Sequence, residues 1–363
     1  MGREYAFMPI TLRPADVRRT YRGGDNIKRW RRGPAAGGCP EDWVCSVTPA
    51  QNSGFPPVPG EGLSFLKDDQ TVSLRHIVND DPKGLLGDAH HQAYGQSLAL
   101  LVKLIDSAER LSIQVHPDQA FAKHYLGSQF GKTEAWYILA TAPVNAVSPY
   151  LLLGFKQGVT REIWSRLFWE QRIPEMVACL NRVTPSPGDV FLVPPGTPHA
   201  IGPGCFLIEA QEPTDFTFRA EWSTPDGTRI NDELIHYGLG LEKVIDCFDF
   251  DAAAKQRPNN AIQPRVVCSG SDGTETTLLN SVDTDRFAME EIRVQTTMNC
   301  TSRGQFSSLI VLSGSGAIEW DDGSLMCRPG DRFFLPYGLQ QFALVNGETD
   351  GELRLVRCFP PLA

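Results

Sequence analysis

No two cysteines stand in C-x-x-C spacing, no apolar run approaches the length of a membrane span, and basic residues are the minority charge. Each absence excludes something. The nine cysteines are odd in number and scattered from Cys39 to Cys358, and a chain of 363 residues can build a core without staples. Reduced thiols in a cytoplasmic protein are therefore expected. The opening MGREYAFMPITLRP has no apolar stretch of signal-peptide type, which leaves the cytoplasm as the expected compartment. With 34 Lys and Arg against 43 Asp and Glu, the chain carries a formal charge of −9. Neither nucleic acid nor an anionic membrane is expected as the main partner. An anionic small molecule would need a local cluster of cations against that field. No pattern points to an oligomeric state.

What is abundant is punctuation. Gly (33) and Pro (27) interrupt short runs rich in Val, Ile, Leu and Phe, the mark of a mainly β protein with tight turns. Residues 20–60 read as loop-rich, in YRGGDN, RRGPAAGG and FPPVPGEG. Helical patterns are few: Leu74 to Leu86, a stretch within Tyr94 to Leu101, and one after Pro117 that stops at Gly127. The clearest spans 160–181. Thr160 can cap it, Ile163, Trp164, Leu167 and Phe168 form an apolar stripe, and Pro174 opens a second short helix.

PGDVFLVP at 187–194 returns as PGDRFFLP at 329–336, each with a glycine two residues on, Gly196 and Gly338. A separation of 142 residues is too long for a solenoid and fits two related β-domains. The motif PGD-x-F-x-x-P resembles one of the cupins, small jelly-roll barrels. In that register His199 falls over Gln341, and no histidine follows His236. The expected architecture is two cupin-like jelly rolls with a small helical insertion. Residues 1–248 form the catalytic unit with an N-terminal arm, and 249–363 form a second barrel without metal ligands.

Three segments carry the chemistry. In LSIQVHPD, Leu111, Ile113 and Val115 alternate with Ser112, Gln114 and His116, and Pro117 ends the strand, so Gln114 and His116 share one face at its end. Glu134 alternates with Trp136 and Ile138 in GKTEAWYILA. His199 follows a turn in PPGTPHAIG. Two imidazoles, a carboxylate and an amide oxygen make a Zn²⁺ site, and Fe²⁺, Mn²⁺ or Co²⁺ would also suit the set. His90, His91, His124 and His236 lack such a setting and read as structural or solvated. Trp136 reads as barrel packing.

LSIQVHPD, GKTEAWYIL, GDVFLVPPGTPHAIG and TDFTFRAEW together resemble the signature blocks of the type I mannose-6-phosphate isomerases, in their shorter bacterial form. YRGGDNIKRW, PEDWVCSVTP and LGLEKVIDCFDF extend the likeness along most of the chain. The resemblance implies a zinc-dependent aldose–ketose isomerase holding one ion through Gln114, His116, Glu134 and His199. It also implies a catalytic Arg219, with Ser112 and Lys103 at the sugar-phosphate site. The reaction moves a proton between C1 and C2 through a cis-enediol(ate), so oxygen charge must be stabilised and a base supplied. Lys132, Glu209 and a metal-bound water all remain open as the base. Lys103 could instead snorkel or pair with a carboxylate, Lys132 could be a surface charge, and Arg219 could pair with Asp215 or Glu221. The chain departs from the family at Tyr21, Phe218, Ala220 and Glu221, which bears on sugar preference. Two other classes fit parts of the pattern: a metal-dependent cupin oxygenase, and a non-catalytic sugar-phosphate-binding regulator.

Overall fold

Period-two alternation cut every few positions by Gly or Pro yields four antiparallel sheets that pair into two sandwiches. A computed structural model describes residues 2–33, 38–52, 55–224, 227–251 and 260–363. In the first sandwich a seven-stranded sheet runs Ala261–Ile262, Val190–Val193, Glu134–Thr141, Cys205–Gln211, Leu101–Asp106, Glu41–Val44 and Asp16–Val17. Its partner sheet runs Phe218–Arg219, Gln114–Val115, His199–Ile201, Leu151–Phe155 and Leu180–Val183. The second sandwich sets the sheet Ile10–Thr11, Arg332–Leu335, Ser307–Ser313, Leu353–Phe359, Ala288–Val294, Gly273–Leu279, Arg265–Gly270 against Thr297–Thr301, Gln341–Asn346, Gly316–Trp320, Gly323–Cys327.

Two edge strands are exchanged. Ile10–Thr11, early in the chain, pairs with Phe333 and Phe334 of the second sandwich. Ala261–Ile262 pairs with Val190 and Phe191 of the first. Strand parity then sorts the core. Trp136 and Ile138 fill the first barrel with Leu153 and Leu207, while Ala135 and Tyr137, on the other face, pack against Ile310, Phe334 and Val356 of the second. Each large apolar side chain so buried contributes about 1.5–3 kcal/mol.

The repeated PGD turns place Gly188 and Gly330 at φ 96° and 95°, left-handed backbone that glycine enters without a Cβ clash. The 142-residue register is preserved in space: Val193 stands opposite Glu134, and Leu335 opposite Ser307.

The helices follow their caps. Thr160 accepts from Ile163 N to start Arg161–Trp169, and Pro174 lies in the first turn of Ile173–Ala178. Trp164, Leu167 and Phe168 are buried against the outside of the five-stranded sheet. Ile163, at the stripe's edge, is 38% exposed, so the expected stripe is one residue narrower. Asp118 caps Gln119–Tyr125, and the chain turns away at Gly127, φ 64°. The Leu74 to Leu86 pattern forms two helices, Leu74–Asp80 and Pro82–Leu86, because Pro82 drives Asp81 out of helical backbone, to φ −143°. The helix expected within Tyr94 to Leu101 lies earlier, over Asp88–Tyr94. Gly95, at φ 64° with its N–H on His91 O, ends that helix where it was expected to begin.

The loop-rich reading of 20–60 accommodates a helix, Asn26–Trp30, and the strand Glu41–Val44; its residues 34–37 and 53–54 lie outside the described residues. All nine cysteines are free thiols. No helix among the described residues is long and apolar enough to cross a membrane.

A buried ion pair ties the sandwiches together. Asp42, in the first, receives Nη1 of Arg332, in the second, on both carboxylate oxygens, and both side chains are fully buried. Arg31 binds the same carboxylate. Burial alone would raise the Asp42 pKa, but the two guanidiniums outweigh it and lower it. Asp42→Ala strands Arg332 without its counter-charge and is expected to cost about 3–5 kcal/mol in urea unfolding. A loss under 1 kcal/mol would show that the clamp does not hold the two sandwiches.

Candidate metal centre and substrate pocket

The five-stranded sheet lines up three of the residues singled out from the sequence. His199 is the cross-strand partner of Gln114, and Gln114 is the partner of Arg219, so the three form one row over adjacent strands. Neighbouring side chains in such a row lie within contact distance. Gly196 N donates to His116 O at 2.9 Å, pinning the PPG turn that precedes His199 to the end of the Gln114–Val115 strand. Glu134 reaches the row from the first residue of its strand in the opposite sheet.

His116, Glu134 and His199 offer nitrogen and oxygen atoms that all lie within 4.8 Å of one another, and all three are buried. Nε2 of His116 is 2.9 Å from Glu134 Oε1, and Nε2 of His199 is 3.6 Å from Oε2. His199 Nδ1 donates to Thr197 O at 2.9 Å, which leaves Nε2 with its lone pair toward the carboxylate. The Gln114 amide donates from Nε2 to His199 Nε2 at 3.1 Å, and a half-turn of that amide would present its oxygen instead.

Burial drives both imidazoles toward neutrality, His116 down to about 3 with Lys132 adding to the effect, and His199 in the same direction. Burial would also raise Glu134, but His116 and Lys132 override it and hold the carboxyl well below its usual range. Neutral imidazoles around an ionised carboxylate are the protonation states a divalent cation requires. Neither Glu134 oxygen has a directed hydrogen bond, nor has His116 Nδ1. This donor set fits a single metal ion.

Beyond the quartet lies a pocket lined by Arg19, Lys103, Lys132 and Arg219 against Glu41, Glu209 and Asp215. Four cations against three carboxylates supply the local positive excess that an anionic ligand needs in a chain of net charge −9. Ser112, Gln114 and Tyr21 also line it.

Lys132 Nζ sits 2.8 Å from Glu134 Oε1 and 3.2 Å from His116 Nε2, so it is no surface charge. Lys103 takes the carboxylate course: it pairs with Glu209 Oε1 at 3.0 Å over the Trp43 ring. Arg219 does not pair as the sequence allowed. Asp215 is held by Arg19 at 2.8 Å, and Glu221 by Arg110. The Arg219 guanidinium rests on the carbonyl oxygens of Leu234 and Thr217.

Trp136 packs as expected, with Nε1 donating to Glu209 Oε2 at 3.1 Å. Tyr21 donates to Glu41 at 2.8 Å inside the pocket. Phe218, by contrast, is fully buried against Phe121 and Tyr237 and does not line the pocket. Ala220 is buried too, and Glu221 also accepts from Ile113 N at 2.7 Å, as a latch between strands. His90 is buried, bonded to Ser97 O at 2.9 Å, and His91 bonds Gly95 O at 3.0 Å. His124 is exposed, and His236 accepts from Gly240 N.

Sequence reading missed Arg19, Glu41 and Tyr237. Arg19 bridges Glu41 at 3.0 Å and Asp215, and the Tyr237 hydroxyl accepts from Thr217 N and donates to Asp215 O. No local pattern marks them. Only the meeting of distant strands gives them a role.

The comparisons agree with this geometry. Residues 61–139 match the model for the phosphomannose isomerase type I catalytic domain, and 275–360 the mannose-6-phosphate isomerase cupin domain. A probable mannose-6-phosphate isomerase of Bacillus subtilis is 30% identical over 252 residues, 69% of this chain and 73% of that one. The chain belongs to the type I phosphomannose isomerase family. That membership makes it an isomerase. The mannose-6-phosphate isomerase of Streptococcus mutans is 28% identical over 271 residues, covering 74% of this chain and 77% of its own. Among solved structures, a mannose 6-phosphate isomerase from Bacillus subtilis superposes with TM-score 0.75 at 21% identity, over 96% of this chain and 99% of that one. A point mutant of phosphomannose isomerase from Salmonella typhimurium gives 0.73 at 17%, over 98% and 100%. Both superpositions bear on the fold.

In this isomerase fold, Lys103 is what allows Glu209 to be ionised in a dry barrel. Glu209 is already raised by burial and by the charge of Glu134. Lys103→Met should lower stability by about 3–5 kcal/mol at pH 8. The folded carboxyl would then bind its proton more tightly than the unfolded one, so the deficit should shrink as pH falls toward 5. A deficit independent of pH over that range would sink this account.

Proposed function

We propose that the chain interconverts mannose 6-phosphate and fructose 6-phosphate, with Gln114, His116, Glu134 and His199 holding one divalent metal, zinc first among the candidates. The observation that carries the proposal is the convergence of two neutral imidazoles and a fully buried ionised carboxylate beside a cation-rich pocket. The substrate is that of the similar mannose-6-phosphate isomerases from Streptococcus mutans and Bacillus subtilis. When bound, the metal supplies Lewis-acid charge to the sugar's carbonyl end.

The remaining work falls to the protein's side chains. Arg219 keeps its charge free of any carboxylate pair among the described residues and faces the pocket next to Gln114. It is placed to stabilise oxygen charge on the cis-enediolate. The proton moved between C1 and C2 needs a base inside a water-poor site. Glu209 fits that need, since burial raises its pKa and it lies in the pocket; Lys132, bound to Glu134, is the other group at hand. Ser112 and Lys103 line the pocket and are assigned to the sugar-phosphate end. We assign catalysis to 1–248 and a supporting role to 249–363, in the cytoplasm, where nine free thiols stay reduced.

A coupled assay for mannose 6-phosphate isomerisation, before and after chelator treatment and with metals returned singly, tests the activity. His199→Ala is expected to lose both bound metal and turnover, and Arg219→Ala to keep the metal and lose about 10²–10³-fold in kcat. Binding of fructose 6-phosphate without turnover by the metal-loaded protein would favour a regulator. A full metal equivalent retained by His199→Ala, in elemental analysis, would falsify the ligand assignment.

A further inference from the structure

The cross-strand partners allow the second barrel to be laid over the first residue by residue. The offset of 142 puts Leu335 on Val193 and thus Ser307 on Glu134, and it puts Gln341 on His199. Thr301, the partner of Gln341, falls on Gln114, the partner of His199. One strand further, Arg357 falls on Glu209, then Glu290 on Lys103, and Thr277 on Trp43. The ion pair Lys103–Glu209 of the first barrel thus reappears in the second with its signs reversed, as Glu290–Arg357. Where Trp43 closes the first barrel, the small Thr277 leaves space.

That space is a cavity of about 310 Å³ at the corresponding end of the second barrel. Phe287, Met289, Phe359 and Pro361 supply apolar wall, and Glu290 and Arg303 supply charge. Glu290 is 3% exposed, and its Oε2 receives Arg303 at 2.8 Å. Its Oε1 has no hydrogen-bond partner, since the nearest Arg357 nitrogen stands 3.8 Å away. A buried carboxylate oxygen left without a donor costs about 1–3 kcal/mol or more. Oε1 is itself covered, but Glu290 lines the cavity, so a turn of its carboxyl toward that space would let a ligand's donor remove the cost. The other charges at the cavity are already matched: Arg303 also binds Glu275, and Asp285 binds Arg286.

We propose that this cavity is a second small-molecule site, separate from the isomerase pocket, which takes a compact apolar or aromatic body carrying one donor head, an alcohol or an amine, directed at Glu290. A phosphosugar does not suit it. Its walls are largely apolar, and the free polar atom is an acceptor that would repel phosphate. The shape matches the usual small-molecule site, a mostly apolar concavity with a few placed polar groups.

The test uses the full-length chain with mannose 6-phosphate in excess to fill the isomerase pocket. Fluorine NMR would follow 4-fluorobenzyl alcohol, 4-fluorobenzylamine and 4-fluorobenzoate. Saturable binding of the alcohol or the amine is expected, with the benzoate at least tenfold weaker; the stronger of the two tells whether a neutral or a cationic head is preferred. Thr277→Trp, which restores the bulk of Trp43 at its equivalent, should abolish binding and leave isomerase activity unchanged. Glu290→Gln should weaken it about tenfold. Equal binding of benzoate, full binding by Thr277→Trp, or no saturable binding by any probe overturns the proposal. None of these outcomes bears on isomerase turnover.

Discussion

Glu134 is an ionised carboxylate at zero exposure, and neither oxygen has a directed hydrogen bond from the chain. A charge so placed is costly unless other charges or dipoles answer it. Much of the first barrel's interior can be read as that answer. Two imidazoles and Lys132 surround the carboxylate, and the layout of the two sheets brings them there. One sheet contributes the row His199, Gln114, Arg219; the other contributes Glu134, with Glu209 on the neighbouring strand and Lys103 on the strand beyond. Glu134 shares its strand face with the core residues Trp136 and Ile138, so a charge stands where burial ordinarily favours an apolar side chain.

The second barrel meets the same geometric demand with other chemistry. Its polar end holds Arg357, fully buried, stacked on Phe359 and donating to Ser307 and to Thr301 O. A guanidinium fixed to the backbone stands where the first barrel gathers lone pairs. Burial lowers the Arg357 pKa to about 10, yet it remains charged at neutral pH. Two copies of one topology thus differ in what fills their polar ends: an arginine in the second, and a cluster of two imidazoles and a carboxylate in the first.

Features set by a few adjacent residues were legible in the sequence. Thr160 caps the helix it was expected to cap, the PGD turns recur in register, and His116, Glu134 and His199 meet from three distant segments. Boundaries governed by a competing local rule were misjudged. Gly95 ends a helix at Tyr94, where one was expected within Tyr94 to Leu101, and Pro82 splits a continuous apolar pattern. Features that exist only across sheets were invisible. Arg19 lies among other arginines in a loop, and nothing nearby tells that it bridges Glu41 and Asp215, the latter 196 positions away. Lys103 illustrates the limit from the other side. Its apolar surroundings showed that something must neutralise it, but only the ladder to Glu209 says what.

The reciprocal lending of edge strands, Ile10–Thr11 to the later sandwich and Ala261–Ile262 to the earlier, has a consequence for how the molecule can be taken apart. Severing the polypeptide between the barrels would leave each fragment with an orphaned ribbon of its own and a bare ladder where its neighbour's had been. Bare ladders are templates for foreign pairing. The halves are therefore not modules to be shuffled: each is the other's hem.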